Sequence, residues 1–227
     1  MDILAHIAES PILVAVHPQY ARCMEKFCRF LEILSQEGYL AMELMARPLD
    51  SAVEVMKELR DLPQRKLVSI GLATIRTIGD AQQAIAAGSD FLVSPAFSER
   101  VLEASIEAGI PYLPAVSTMQ DVQDVWEAFD RIGRKVSVLK LCPVEFMTPP
   151  YITSLGKCYP GITFCPTGTV PLQEIPRWAA MEFIGPPIES TYTPGEWIAE
   201  GRYEQIKERL RMLRHLSEVG KQTRRKS

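Results

Sequence analysis

Long hydrophobic runs are missing from this sequence: no apolar stretch approaches the ~20 residues that a membrane span requires. An excess of either charge is missing too. Its 25 basic side chains face 28 acidic ones, for a net charge of −3, which gives no reason to expect nucleic acid or another polyanion as a partner. Histidine is scarce: His6, His17 and His215 are scattered and make no ligand-spaced cluster, so metal-assisted chemistry is the less favoured route and no cofactor is called for. The five cysteines (Cys23, Cys28, Cys142, Cys158 and Cys165) form an odd set without CxxC spacing. That argues for reduced thiols rather than a disulfide framework or a zinc site. The opening stretch Met-Asp-Ile-Leu-Ala-His-Ile-Ala-Glu-Ser carries an acid before its apolar residues and no basic segment, which reads against a secretory signal. The expectation is a cytoplasmic protein.

What the chain does have is a repeated rhythm. Short apolar runs recur at 12–16, 40–45, 67–71, 91–94, 112–116, 136–141, 162–165 and 181–184. Helix-like patterns lie between or after them, at 21–36, 49–60, 79–87, 99–108, 119–132 and 203–219. Strands alternating with helices imply parallel pairing through right-handed crossovers. Eight such units predict an α/β fold, a closed (β/α)8 TIM barrel in a single domain, rather than an open doubly wound sheet. No GxGxxG follows any of the runs, so the dinucleotide-binding fingerprint is absent as well. Residues 1–10 are expected to form a short helix closing the bottom of the barrel, 191–201 a loop, and the basic tail 221–227 a frayed end.

One residue stands where its surroundings ought to repel it. Lys140 interrupts Val136-Ser137-Val138-Leu139-Lys140-Leu141-Cys142-Pro143, which otherwise reads as a buried strand. A buried ammonium loses several kcal/mol of hydration, roughly, unless it is paired or gives up its proton. A neutral amine attacks carbonyls.

Active sites of such barrels sit at the C-terminal ends of the strands. Alternation in Ala41-Met42-Glu43-Leu44-Met45 points Glu43 into the barrel, with Arg47 two residues past the run. A Glu43–Lys140 pair could also be a purely structural ion pair. Thr74 lies just past the third run, Pro95 follows the fourth, and Thr167 and Gly168 follow the seventh. An amine, a carboxylate, an arginine and hydroxyls suit Schiff-base chemistry on a 2-oxo acid. The amine forms an iminium, the carboxylate moves protons, and the arginine grips the substrate carboxylate.

The strings Glu43-Leu-Met-Ala-Arg47, Gly71-Leu-Ala-Thr74, Val93-Ser-Pro95, Lys140-Leu-Cys-Pro143-Val-Glu145 and Phe164-Cys-Pro-Thr-Gly168 resemble the 2-keto-3-deoxy-6-phosphogluconate (KDPG) and 4-hydroxy-2-oxoglutarate (KHG) aldolases. The resemblance runs from about residue 11 to 217. It implies a class I aldolase on a (β/α)8 barrel, commonly a homotrimer, acting on a small 2-oxo acid. Carried across, Lys140 is the Schiff-base lysine and Glu43 the general acid/base. Arg47 and Thr74 hold the pyruvyl carboxylate, Pro95 walls the site, and Thr167 and Gly168 form the rim.

The chain departs from the family pattern where that pattern binds phosphate. Thr169 replaces a glycine, and Gly185-Pro186-Pro187 replaces Gly-Gly-Ser, removing two N–H donors and a hydroxyl. Cys142 stands for a pocket aromatic, and His17-Pro18 for an arginine after the first strand. The expectation is an intact pyruvate half and an altered aldehyde half, with Glu189, Ser190 or Arg202 available to rebuild a polar site. Two rivals remain at this stage. One is a phosphate-binding epimerase that uses Glu43 without covalent chemistry. The other is a non-catalytic relative that binds pyruvate or another 2-oxo acid.

Overall fold

A computed structural model of the chain describes residues 3–226. Its strands are β1 (Leu13–Val16), β2 (Ala41–Met45), β3 (Ser69–Ala73), β4 (Phe91–Ser94), β5 (Tyr112–Val116), β6 (Val138–Leu141), β7 (Thr163–Pro166) and β8 (Ile188–Glu189). The helices are α1 (Ile3–Glu9), α2 (Met24–Gln36), α3 (Leu49–Leu59), α4 (Ile78–Ala86), α5 (Glu99–Glu107), α6 (Met119–Arg131), α7 (Pro149–Cys158), α8 (Ile175–Ala179), α9 (Gly195–Glu200) and α10 (Tyr203–Lys226). All strand pairs are parallel, in the order β7-β6-β5-β4-β3-β2-β1-β8. A single bridge between Thr167 and Ile188 joins the two ends of the series. The result is the nearly closed (β/α)8 barrel that the alternation of runs predicts.

Strand alternation sorts the side chains into two apolar layers. Met42, Leu44, Ile70, Leu72, Leu92 and Leu139 belong to the layer between strands and helices. Leu13, Ala41, Phe91, Val93, Leu113, Val138 and Ile188 fill the lumen. The first helix, α1, plugs the end where the strands begin: Ile7 is fully buried, with Ile3, Leu4 and Ala8 packed on the same cluster. This matches the expectation for residues 1–10, of which Met1 and Asp2 lie outside the described residues.

The lumen floor is tightly filled. A Cβ added to Gly71 would sit 2.2 Å from the Phe91 ring. Gly71→Ala therefore displaces a fully buried aromatic, and overpacking of this kind costs about 1–3 kcal/mol. The urea midpoint of the variant is expected to fall accordingly.

Several boundaries differ from the sequence reading. The third strand begins two residues later than expected, and Leu67 precedes it, partly exposed. The eighth strand is Ile188–Glu189, not 181–184. Phe183 has a left-handed φ of 67°, so the apolar run turns before it can extend, and only Ile184 pairs, with Phe164. The strand forms after Pro186 and Pro187, where Leu13 N–H donates to Pro187 O at 3.0 Å. Helix α7 has no counterpart among the expected elements, because its prolines read as a break. At the first positions of a helix they are tolerated, and Thr148 Oγ1 caps the turn by accepting from Tyr151 N–H. The expected loop 191–201 contains α9, and α10 continues to Lys226 instead of fraying after 220. Lys221 Nζ donates to Glu9 O and Arg224 to Met181 O, which ties that end down. Ser227 lies outside the described residues. No helix among them is long and apolar enough to cross a membrane.

Candidate active site

In the ring order β2 and β6 lie four steps apart in either direction, on opposite sides of the barrel. Each carries one inward ionisable residue at mid-strand. Glu43 on β2 pairs in register with Ala15 of β1 and Gly71 of β3. Lys140 on β6 pairs with Ala115 of β5 and Cys165 of β7. Ala15, Ala115 and Cys165 are small, and the space beside Gly71 is taken by the Phe91 ring.

Lys140 Nζ and Glu43 Oε1 approach to 3.9 Å, with side-chain exposures of 11 % and 2 %. That separation is an ion-pair distance, too long for a hydrogen bond. Glu43 Oε1 accepts no hydrogen bond from the described residues. An unsatisfied buried polar atom costs about 1–3 kcal/mol, more if charged. A pair serving only to neutralise itself would gain by closing the gap; a pair that must admit a reacting carbon and a hydroxyl keeps it. Burial pushes the Glu43 carboxyl above its usual range, opposed by the charges of Lys140 and then Arg47. Burial likewise pushes the adjacent Cys165 thiol up, so it packs as a neutral group.

The remaining sequence-chosen residues sit just past the C-terminal ends of parallel strands, hence on one rim. Arg47 is exposed beyond β2, and its positive charge bears on Glu43, Cys142 and His17. Thr74 follows β3 with φ of 69°. A left-handed backbone is costly for a β-branched residue and persists where the surroundings enforce it. The capping box of α4, formed by Thr77 and Asp80, pins the loop behind it. Thr74→Gly is expected to leave the melting temperature unchanged or slightly higher, because relief of strain offsets the added freedom of the unfolded chain. With Thr74 as the holder of a pyruvyl carboxylate that the resemblance implies, the change should also raise the KM several-fold, roughly one hydrogen bond's worth. Thermal melts and steady-state kinetics on one preparation check both.

Pro95 is exposed after β4, and Thr167 lies half-buried after β7, its hydroxyl 3.4 Å from Cys165 O. Gly168 has φ of 130°, and a Cβ there would meet Glu145 Oε2 at 2.2 Å. The Glu145 carboxylate accepts from Thr169 N–H at 2.6 Å, which holds it below the usual carboxylate range. No local pattern predicts that contact, since Glu145 and Thr169 belong to separate stretches of the chain.

At the ends of β1 and β8 a cavity of about 260 Å³ opens beside the mouth, lined by His17, Tyr20, Ser190, Thr191, Gly195 and Glu196. Tyr20 Oη donates to Glu196 Oε1. Burial, then the Arg47 charge, hold the His17 imidazole below its usual range, with Glu196 opposing. The sequence singles out His17 and Ser190 from this group, and no motif links either of them to Tyr20 or Glu196. Arg202 does not contribute an anion holder, since it pairs with Glu200. Among the described residues no three His, Cys, Asp or Glu side chains gather as a ligand set for a metal.

An eight-stranded parallel barrel with an amine facing a carboxylate across its lumen defines the class, a (β/α)8 barrel enzyme. The chain belongs to the KDPG and KHG aldolase family, whose model matches residues 5–209. It is thus an aldolase, a carbon–carbon lyase. A 2-dehydro-3-deoxy-phosphogluconate aldolase of Treponema pallidum (strain Nichols) is 28% identical over 170 residues, 74% of this chain and 77% of that protein. The crystal structure of a 4-hydroxy-2-oxoglutarate/2-dehydro-3-deoxyphosphogluconate aldolase from TTHB1 superposes with a TM-score of 0.79. It shares 29% identity, over 96% of this chain and 99% of that one. A KDPG aldolase from Legionella pneumophila, whose crystal structure holds pyruvate as a covalent carbinolamine intermediate, shares the fold. Its TM-score is 0.75 at 21% identity, over 94% and 97% of the two chains.

Proposed function

We propose that this aldolase is of class I, working through a Schiff base on Lys140, and that it cleaves a 2-oxo-4-hydroxy acid of the KDPG or KHG type into pyruvate and an aldehyde. The observation that carries the reading is the open 3.9 Å gap between the buried Lys140 amine and an unsatisfied Glu43 oxygen. The amine adds to the C2 ketone, and the carbinolamine loses water to form an iminium. The Glu43 carboxylate takes the proton of the C4 hydroxyl. The C3–C4 bond then breaks, its electron pair flowing into the iminium as an enamine, and the aldehyde departs. Protonation at C3 by Glu43 and addition of water release pyruvate and restore the amine. A carboxyl held above its ordinary range by burial is suited to move that proton in both directions.

Arg47 and Thr74 serve as holders of the pyruvyl carboxylate, Pro95 as a wall, and Thr167 and Gly168 as rim. The family resemblance extends the proposal to one aldolase domain over residues 1–227, assembled as a homotrimer in the cytoplasm. The test is borohydride reduction in the presence of pyruvate, followed by peptide mass mapping. A pyruvyl adduct on Lys140 is expected. No adduct in a folded protein leaves that lysine as an ion-pair partner and ends the class I reading.

A further inference from the structure

In barrels of this kind a distal phosphate is held by backbone N–H groups of the loops after the seventh and eighth strands. Here several of those donors are already committed. Thr169 N–H is taken by the Glu145 carboxylate at 2.6 Å, and Val170 N–H by Gly168 O at 3.1 Å. Gly185 N–H donates to Phe164 O at 2.8 Å, and Pro186 and Pro187 have none to give. At the end of β8 the Glu189 carboxylate gathers Ser190 N–H at 2.8 Å and Thr191 N–H at 3.0 Å, with Ser190 Oγ at 3.4 Å. Two of the chain's own carboxylates thus occupy three amides of these loops, those of Thr169, Ser190 and Thr191. Displacing either would leave a carboxylate beside the incoming anion.

The cavity next to these loops has the opposite preference. Its Glu196 carboxylate accepts from Tyr20 and retains lone pairs for further hydroxyl donors, while Ser190 and Thr191 add hydroxyls of their own. The His17 imidazole, held neutral at ordinary pH, offers a hydrogen bond and no positive charge. A chain of hydroxyls satisfies such a surface, whereas phosphate or a second carboxylate meets the Glu196 charge, and the nearby Arg47 is assigned to the pyruvyl carboxylate.

We infer that the cavity lined by His17, Tyr20, Ser190, Thr191 and Glu196 receives the aldehyde half of the substrate, and that this half is neutral and hydroxyl-bearing, not phosphorylated or carboxylated. This rests on the class I aldolase reading above and keeps its pyruvyl half, but puts a neutral aldehyde half in place of the phosphorylated one of KDPG and the carboxylated one of KHG. Glu145 and Glu189 act as specificity-determining residues by occupying the rim amides.

The test follows aldol addition of pyruvate to glyceraldehyde, glyceraldehyde 3-phosphate and glyoxylate by the full-length chain, with borohydride trapping of pyruvate run in parallel. Glyceraldehyde is expected to exceed both anionic aldehydes in kcat/KM by at least about tenfold. Glu145→Ala and Glu189→Ala free the amides and should shift the ratio towards the phosphorylated aldehyde by roughly tenfold. Glu196→Gln, at an exposed position, keeps the fold and pyruvate trapping but lowers kcat/KM for glyceraldehyde. Trapped pyruvate together with a wild-type preference for glyceraldehyde 3-phosphate or glyoxylate overturns the inference and leaves the aldolase reading intact. An unmoved ratio in both alanine variants overturns the gatekeeping role. No trapped pyruvate in the folded wild type removes the aldolase reading, and the inference with it.

Discussion

Lys140→Met abolishes turnover, with an expected loss on the order of 10⁴-fold or more, and removes every trace of a borohydride-trapped pyruvyl adduct. Methionine fills a similar volume without a nitrogen, so the wall formed by Ala115 and Cys165 keeps its packing. Glu43 then has no cation within the lumen. Burial already raises it above its usual range, and loss of the Lys140 charge raises it further, favouring the neutral acid, which lets the barrel stay closed. Circular dichroism and a melting curve show that the fold survives. Full activity in the folded variant would return the epimerase rival, for which the lysine is dispensable. Wild-type protein that forms the adduct yet turns over no 2-oxo-4-hydroxy acid would instead be the pyruvate-binding relative.

Glu43→Gln carries the second large effect, a loss of about 10²–10⁴ in kcat, the usual contribution of a positioned acid/base group. The amine can still meet pyruvate, so trapping slows without vanishing. The pH profile separates a proton carrier from a mere spacer. As a base Glu43 must be ionised, and burial raises its folded-state pKa above 4.5, so the ascending limb of the wild-type rate profile lies above 4.5. In the glutamine variant that limb disappears. Stability carries the same signature with a definite sign. The folded protein holds this proton more tightly than the unfolded chain. The group's stabilising contribution is therefore complete below 4.5 and is lost as pH rises through the folded value. The variant lacks this fall, and urea titrations across acid to neutral pH compare the two.

The parts of this site that were legible from sequence are those governed by period. A strand that alternates Ala41, Glu43 and Met45 against Met42 and Leu44 can place its carboxylate only in the lumen, and the register bears this out. Lys140 was legible because a cation inside an apolar run is costly to bury and stands out against the strand around it. What escaped depends on contacts between distant segments or on one unusual torsion. The run 181–184 has strand composition, but Phe183 turns at a positive φ and the strand forms only beyond two prolines. The contact of Glu145 with Thr169 crosses from the loop after β6 to the loop after β7, a proximity set by barrel order alone. Tyr20 and Glu196 meet because β1 neighbours β8, which no local pattern encodes.

The placement of acid and amine at opposite points of the ring makes chemical competence a property of the whole circle. The first four strands bring the carboxylate and the last four bring the nitrogen, so neither half of the chain contains a reactive centre. The seams that unite them are β4 against β5 and, on the other side, β1 against the two-residue β8, itself held to the end of β7 through the bridge to Thr167. Loosening of the weaker seam widens the space between proton carrier and nucleophile while the helices around them remain intact. The proposed catalytic pair would therefore act as a built-in gauge of ring closure, and activity is expected to fail earlier on warming than helix content.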